Sequence, residues 1–188
     1  MIVLASASPR RHEIMKLMGL DFTVVPAKDE KNPEGVDSPG EYTALSALYK
    51  AENVAGQFGD KDVVIGADTV VSFENKILGK PRDREDAFRM LRMLAGNVHT
   101  VYTGYAIIKG EKKVTGSEKT EVEFRSMTDD EIYDYIDTGE PMDKAGAYGI
   151  QGLGCVNIRR INGDYFNVMG LPACTLYREL REGGFIDG

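Results

Sequence analysis

The run VVIGADTVVSF at positions 63–73 constrains the fold more than any other segment. Its β-branched residues on either side of the centre read as a buried strand, and Glu74-Asn75-Lys76 reads as a tight turn into a hairpin with Ile77 and Leu78. Yet Asp68 lies inside this apolar run. An unpaired carboxylate is expensive to bury, so Asp68 needs a partner, a metal ion, or an exposed strand end where it only caps a turn. Thr69 beside it offers a hydroxyl.

Elements of both kinds surround this strand. Ile2–Ala5 reads as a short strand, followed by Ser6-Ala7-Ser8-Pro9 and a helix with Ile14, Leu17 and Met18 at helical spacing up to Gly19. Phe22–Val25 reads as a second strand. Ser38-Pro39-Gly40-Glu41 has the form of a capping box with proline at the first helical position, opening a helix to Phe58. A stripe of Tyr42, Leu45, Tyr49 and Val54 is expected to face the core, with Lys50 near the edge of that face. Asp83 caps a helix carrying Ala87, Met90, Leu91 and Leu94, closed by Gly96. Val98–Lys109 and Lys113–Phe124 form a long hairpin. Thr128 with Glu131 is another capping box, before Ile132, Tyr135 and Ile136, and Gly139-Glu140-Pro141 stops that helix. Val156–Ile161 reads as a strand, Asn162-Gly163 as a turn, and Pro172–Leu180 as the last helix. Strands and helices mix without strict alternation, so an α/β fold with a mixed sheet is expected. With no repeat and no linker, the chain reads as a single domain over 1–188.

The charge balance narrows the partners. Lys plus Arg number 23 against 30 Asp plus Glu, a formal net charge of −7, which argues against sequence-blind nucleic-acid binding. No window reaches the roughly 20 apolar residues that span a bilayer. The apolar Met1–Ala5 stretch is followed rather than preceded by Arg10 and Arg11, the reverse of a secretory leader. No membrane association and a cytoplasmic location are expected. Cys155 and Cys174 lack C-x-x-C spacing and read as small apolar packing residues.

Five segments carry groups suited to chemistry. Ser6-Ala7-Ser8-Pro9-Arg10-Arg11 joins a strand end to a helix start, where backbone N–H groups and the helix dipole favour an anion and arginines can grip phosphate bidentately. A capped helix with solvated arginines fits the same residues. Asp68, with Asp29-Glu30, supplies oxygens for a hard cation such as Mg²⁺, although Asp29-Glu30 also fits a solvated loop. Lys80 is held between Gly79 and Pro81 in extended backbone, and reads either as an aimed ammonium or as a surface lysine. The stretch from Asp143 to Gly152 is rich in small residues that admit a ligand, with Gln151 able to donate and accept toward a base edge; a glycine-rich turn is the alternative. No G-x-x-x-x-G-K-[ST] loop, dinucleotide fingerprint, H-E-x-x-H site or G-x-S-x-G elbow occurs, and His12 and His99 read as packing or surface histidines.

Taken together these segments resemble the Maf family, the septum-formation-associated nucleotide pyrophosphatases. The matching segments are Ala5–Arg11, Gly66–Val71, Gly79-Lys80-Pro81, His99–Gly104, Asp143–Gly152 and Asn167–Pro172, in the family's order along almost the whole chain. The resemblance implies an elongated α/β fold of the Maf/ITPase-like kind, with a mixed, twisted sheet, flanking helices and two lobes around a central cleft. It implies hydrolysis of a nucleoside triphosphate between the α and β phosphates, with Mg²⁺ or Mn²⁺ as cofactor. Ser8, Arg10, Arg11, Lys50 and Lys80 then bind phosphate, and Glu30 and Asp68 hold the metal or activate water, Asp68 being the expected base.

The resemblance extends to the substrate. Arg10, Thr69 and Gln151 match the subgroup acting on dTTP and UTP, whereas a subgroup preferring 7-methyl-GTP carries Glu where Gln151 stands. A glutamine satisfies both the O4 and the N3–H of a uracil-type edge, which a carboxylate cannot. Lys28 departs from the small or apolar residue usual before the carboxylate pair. The implied role is a house-cleaning enzyme that removes dTTP, UTP or modified pyrimidine triphosphates; the other reading is a nucleotide-binding regulator of cell division with incidental hydrolysis. Family members often form homodimers, although no periodic apolar surface in the sequence marks an interface.

Overall fold

The computed structural model describes residues 1–28 and 31–186. Among the described residues seven strands form one mixed sheet: β1 (Ile2–Leu4), β2 (Phe22–Val24), β3 (Val63–Phe73), β4 (Lys76–Leu78), β5 (Val98–Lys109), β6 (Lys112–Phe124) and β7 (Ile158–Asn162). The strand order is β2-β1-β3-β5-β6-β7, with β4 paired to β3. β1 runs parallel to both β2 and β3, with Leu4 opposite Ile65. β4 and β7 pair antiparallel with β3 and β6. The helices are α1 (Pro9–Leu17), α2 (Pro39–Ala55), α3 (Arg84–Leu94), α4 (Asp129–Asp137), α5 (Tyr165–Met169) and α6 (Ala173–Glu182). The mixed α/β sheet expected from the sequence is therefore the architecture found.

The chain groups into two compact units, 1–68 with 103–118 and 170–188, and 69–102 with 119–169. In the first, Val3, Ala5, Ala47, Ala51, Val64 and Ala106 belong to a core of mostly small side chains. In the second, larger residues such as Leu91, Leu94, Phe124, Ile132 and Tyr148 pack together.

Local chemistry explains several element ends. Thr128 and Glu131 exchange both bonds of a full capping box at the start of α4, and Asp83 accepts from the Asp86 amide at the start of α3. At α2 the expected box is half made, since Ser38 Oγ accepts from the Glu41 amide. The β3–β4 turn places Glu74 and Asn75 at positive φ, 48° and 63°, the left-handed geometry whose twist matches a two-residue hairpin.

Several local expectations are corrected. The buried face of α2 is Thr43, Ser46, Ala47, Lys50, Ala51 and Val54, so Tyr42, Leu45 and Tyr49 lie beside the face rather than at its centre and Lys50 lies within it. The cause is in the sheet. A Cβ on Gly66 of β3 would overlap Ala47 O and come 2.9 Å from Ala51 N, and one on Gly104 of β5 would overlap the Thr43 carbonyl. The helix backbone descends onto these two glycines, leaving room only for small side chains between. On α1, Ile14 and Met15 are buried while Leu17 is exposed. The strand expected from Val156 begins at Ile158, after a 3₁₀ turn at Leu153–Asn157, and the short helix α5 carried no periodic signal. Cys155 and Cys174 are exposed free thiols, not packing residues.

Candidate active site

In the first unit the loop after β1 is fixed from within. Ser6 Oγ accepts from the Ser8 amide at 3.3 Å and from Arg11 Nη1 at 3.0 Å, and Arg11 Nε donates to Gly170 O at 2.7 Å. His12 Nε2–H donates to Ser6 O at 2.8 Å, since a carbonyl only accepts. Ser8 occupies the N-cap of α1 with no side-chain cap bond, and the first turn holds no acidic residue. Its hydroxyl is therefore not spent on closing the helix. Arg10 is half-buried and meets no hydrogen-bond or ion-pair partner among the described residues. Two arginines at a helix N-terminus oppose the macrodipole, an arrangement that an anion would relieve.

Asp68 belongs to the same unit. β1 ends opposite Ile65, and β3 continues three residues further to Asp68. The Ser6–Arg11 loop and the carboxylate thus lie beyond the same, carboxyl end of β1, the end where α/β sheets place their ligands. Lys50 Nζ stands 2.7 Å from Asp68 Oδ1, and both side chains are largely buried, at 11% and 17% exposure. This ion pair answers the question posed by a carboxylate in an apolar strand: Asp68 is mid-strand and paired. The pair follows from the seating of α2, because Lys50 stands between Ala47 and Ala51, the residues that meet Gly66, and Gly66 shares a sheet face with Asp68 two residues on.

Among the described residues no group of three His, Cys, Asp or Glu could hold a metal by itself. Asp68 nevertheless suits a hard cation of the Mg²⁺ kind, which takes one or two carboxylates and completes its shell with substrate phosphates and water. Oδ1 faces Lys50, and Oδ2 receives no hydrogen bond among the described residues. The adjacent ammonium offsets the carboxylate charge, so a cation would depend on the charge a polyphosphate brings. Glu30 and Asp29 lie outside the described residues.

The second unit contains Lys80, Thr69 and Gln151. Lys80 is exposed, and its backbone is pinned on both sides: Pro81 is buried, and Gly79 O accepts from the Gly146 amide at 3.0 Å. That bond ties the Lys80 segment to the glycine-rich stretch that leads to Gln151. Thr69 is half-buried on β3 and, one residue after Asp68, faces the other side of the sheet. Gln151 is exposed, between the 3₁₀ turns at Ala145–Ala147 and Leu153–Asn157.

The glycines of this stretch serve an internal purpose. A Cβ on Gly152 would lie 2.5 Å from Glu140 Cδ, one on Gly154 2.5 Å from Tyr135 Oη, and one on Gly149 2.8 Å from Lys144 Cε. The space where their side chains would stand is filled by Glu140, Tyr135 and Lys144 of the same unit. Glu140, read from the sequence only as part of a helix stop, accepts from Tyr135 Oη at 2.7 Å, Leu153 N at 2.7 Å and Gly154 N at 3.0 Å. These donors hold its carboxyl below the usual carboxylate range although burial works against them. No local pattern could have shown this, because the acceptor and its amide donors are separated by more than three helical turns of chain. His99 resolves to packing. It is 2% exposed, hydrogen-bonded through Nε2 to Tyr148 Oη at 2.7 Å, and edge-on to Phe124 and Tyr148. Burial pushes it down to about 3, so it is neutral at ordinary pH.

The chain is similar to known proteins along nearly its whole length. A relative from Thermococcus gammatolerans, 51% identical over 185 residues, covers 98% of this chain and 97% of its own, and is named dTTP/UTP pyrophosphatase. Proteins of the same name from Thermoanaerobacter sp. and Bacillus cereus are 49% and 46% identical, each covering 96% of this chain and 95% and 94% of their own. In fold, the chain is similar to the Staphylococcus aureus Ham1 protein, with a TM-score of 0.50 and 18% identity over 97% of this chain and 98% of that one. The family described as Maf-like protein matches residues 1–183, and the chain belongs to that family.

Proposed function

We propose that the protein hydrolyses dTTP and UTP to the nucleoside monophosphate and pyrophosphate. The observation that carries this reading is identity of 46–51% over nearly the full length to relatives named for that activity. The Lys50–Asp68 pair gives it a chemical centre.

In this reading the whole chain, 1–188, works as one functional domain. Arg10, Arg11 and the Ser8 hydroxyl receive phosphate oxygens at the start of α1, and Lys50 and Lys80 add ammonium charge. Gln151 pairs with the O4 and N3–H edge of the base, and Thr69 belongs to the same substrate set. Asp68, oriented by Lys50 through Oδ1, accepts at Oδ2 the proton of the attacking water. The water oxygen bonds to the α-phosphorus as the bond from that phosphorus to the bridging oxygen breaks, and pyrophosphate leaves. Asp68 and Glu30 would hold Mg²⁺ or Mn²⁺, which when bound supplies charge neutralisation at the phosphates.

Pyrophosphate release by the purified protein with Mg²⁺ or Mn²⁺, across the common triphosphates and 7-methyl-GTP, tests the reading beside Asp68→Asn. Release from UTP and dTTP that disappears in the variant is expected. Release chiefly from 7-methyl-GTP would remove the specificity assignment. Nucleotide binding without release from any substrate would instead favour a regulator.

A further inference from the structure

Resting on the reading of Gln151 as the base-contacting residue, we infer that Glu140 is a positioning residue for substrate selection, acting through the backbone of the segment that presents Gln151. The carboxylate is built into that segment from two directions. Its Oε2 accepts from Leu153 N and its Oε1 from Gly154 N, the second and third amides after Gln151. Gly152, between Gln151 and those two amides, has no side chain, and a Cβ there would lie 2.5 Å from Glu140 Cδ and 2.7 Å from Oε1. Chain and carboxylate therefore occupy complementary space immediately beside Gln151.

A second residue closes the arrangement. Tyr135 Oη donates to Glu140 Oε1 at 2.7 Å and accepts from Gly149 N at 3.2 Å. Amides on both sides of Gln151, at 149 and at 153 and 154, are thus tied to one Tyr135–Glu140 unit. Tyr135 is anchored on the buried face of α4, and Glu140 follows Gly139, whose φ of 78° ends that helix. Gln151 is exposed on a segment between two short 3₁₀ turns, and the backbone of that segment sets how it meets a base. The entropy of ordering it at the base would weaken binding of the correct base and blur discrimination. The Tyr135–Glu140 unit supplies that order before substrate arrives.

Glutamine cannot replace this carboxylate. Both carboxylate oxygens accept from N–H or O–H donors, whereas an amide offers one oxygen and one NH₂, so in either orientation a donor faces a donor. Glu140→Gln is accordingly expected to raise KM for UTP about tenfold, with kcat within about threefold, and to shrink the preference for UTP over CTP by a similar factor. Tyr135→Phe, which keeps the packing and removes only the hydroxyl, is expected to shift the same ratio in the same direction by less. Gln151→Ala, measured beside them, is expected to shrink the preference at least as much.

A UTP/CTP preference that falls with Gln151→Ala yet stays within about twofold of wild type in both Glu140→Gln and Tyr135→Phe would overturn the proposal and leave the base reading standing. An unchanged preference in Gln151→Ala would remove the base reading itself, and the proposal with it. Equal losses of kcat on UTP and CTP, with unchanged KM, would assign Glu140 a general structural role and overturn the proposal. Should Glu140→Gln fail to fold, Tyr135→Phe decides alone by the same ratio.

Discussion

Lys50 Nζ lies 2.7 Å from Asp68 Oδ1 because α2 rests on the bare backbone of Gly66, two residues before Asp68 on the same face of β3. The lysine is thereby carried into a helix face that is otherwise made of small, uncharged side chains. Each partner makes the burial of the other tolerable, since removing one would leave an uncompensated charge in a low-dielectric setting. Neutralising Asp68 as Asn preserves an oxygen for Lys50 but removes the proton acceptor. We expect Asp68→Asn to lower kcat about 10²–10⁴-fold while the nucleotide Kd measured without divalent metal changes little, as read by pyrophosphate release and by equilibrium binding.

The glycine contact predicts a steric effect. Gly66→Ala would drive a methyl group into Ala47 O, and no flexible side chain stands there to give way. A loss of about 3 kcal/mol in denaturant unfolding is expected, at the upper end of overpacking costs, together with loss of activity as Lys50 is lifted from Asp68. Gly56→Ala is the internal control. Nothing lies within 4 Å of its Cβ position, and its φ of −61° suits alanine, so a gain of about 0.5 kcal/mol is expected from the stiffer unfolded chain.

The two arginines of α1 should separate in their effects. Arg11 joins Ser6 to Gly170 through its guanidinium, so Arg11→Ala is expected to cost about 1–3 kcal/mol of stability by leaving those acceptors unpaired. Arg10 meets no partner among the described residues. Arg10→Ala should therefore leave the unfolding midpoint nearly unchanged and raise KM for UTP about tenfold or more, as expected for loss of a charge-assisted phosphate contact. Thermal melts and steady-state kinetics on the two variants check both halves.

Acid sensitivity should come from His99. Burial lowers it from 6.5 to about 3, so below pH 6.5 the unfolded chain binds a proton that the native state refuses, and stability falls as pH falls toward 3. The slope is about 1.4 kcal/mol per pH unit through the interval from pH 6 to 4. Asp86, held at about 2 by Arg89 and the Arg82 amide against a usual 3.8, adds its own loss only below pH 3.8, because there the unfolded chain protonates first. Unfolding titrations at pH 7, 5 and 3 on the wild type and on His99→Phe separate the windows. The variant should lose the upper slope and keep the lower one.

Much of the fold was legible because it is written in short-range signals. The Asp83 cap, the Thr128–Glu131 box, the β5–β6 hairpin and the buried run of β3 each depend on residues within a few positions of one another, where rotamer and hydrogen-bond preferences act directly. The seating of Tyr42, Leu45 and Tyr49 beside the buried face is not legible in the sequence, for the opposite reason. Hydrophobic periodicity ranks faces by side-chain size, whereas α2 turns its smallest residues to the sheet because Gly66 and Gly104, distant in sequence, let two backbones meet. The strand expected from Val156 likewise gave way to a 3₁₀ turn held by Glu140, thirteen and more residues upstream.

From the sequence alone come the mixed α/β class, the residue types able to bind polyphosphate, the need of Asp68 for a partner, and the family resemblance of segments spread along the chain. These are properties of individual residues and short windows, and a linear reading reaches them. That the partner of Asp68 is Lys50, that Arg11 braces the loop while Arg10 meets no partner among the described residues, and that three glycines make room for Glu140, Tyr135 and Lys144 are decided only when the chain closes on itself. Hydrogen bonds and close packing depend on distances of a few ångströms between residues far apart in sequence, and those distances exist only in the folded molecule.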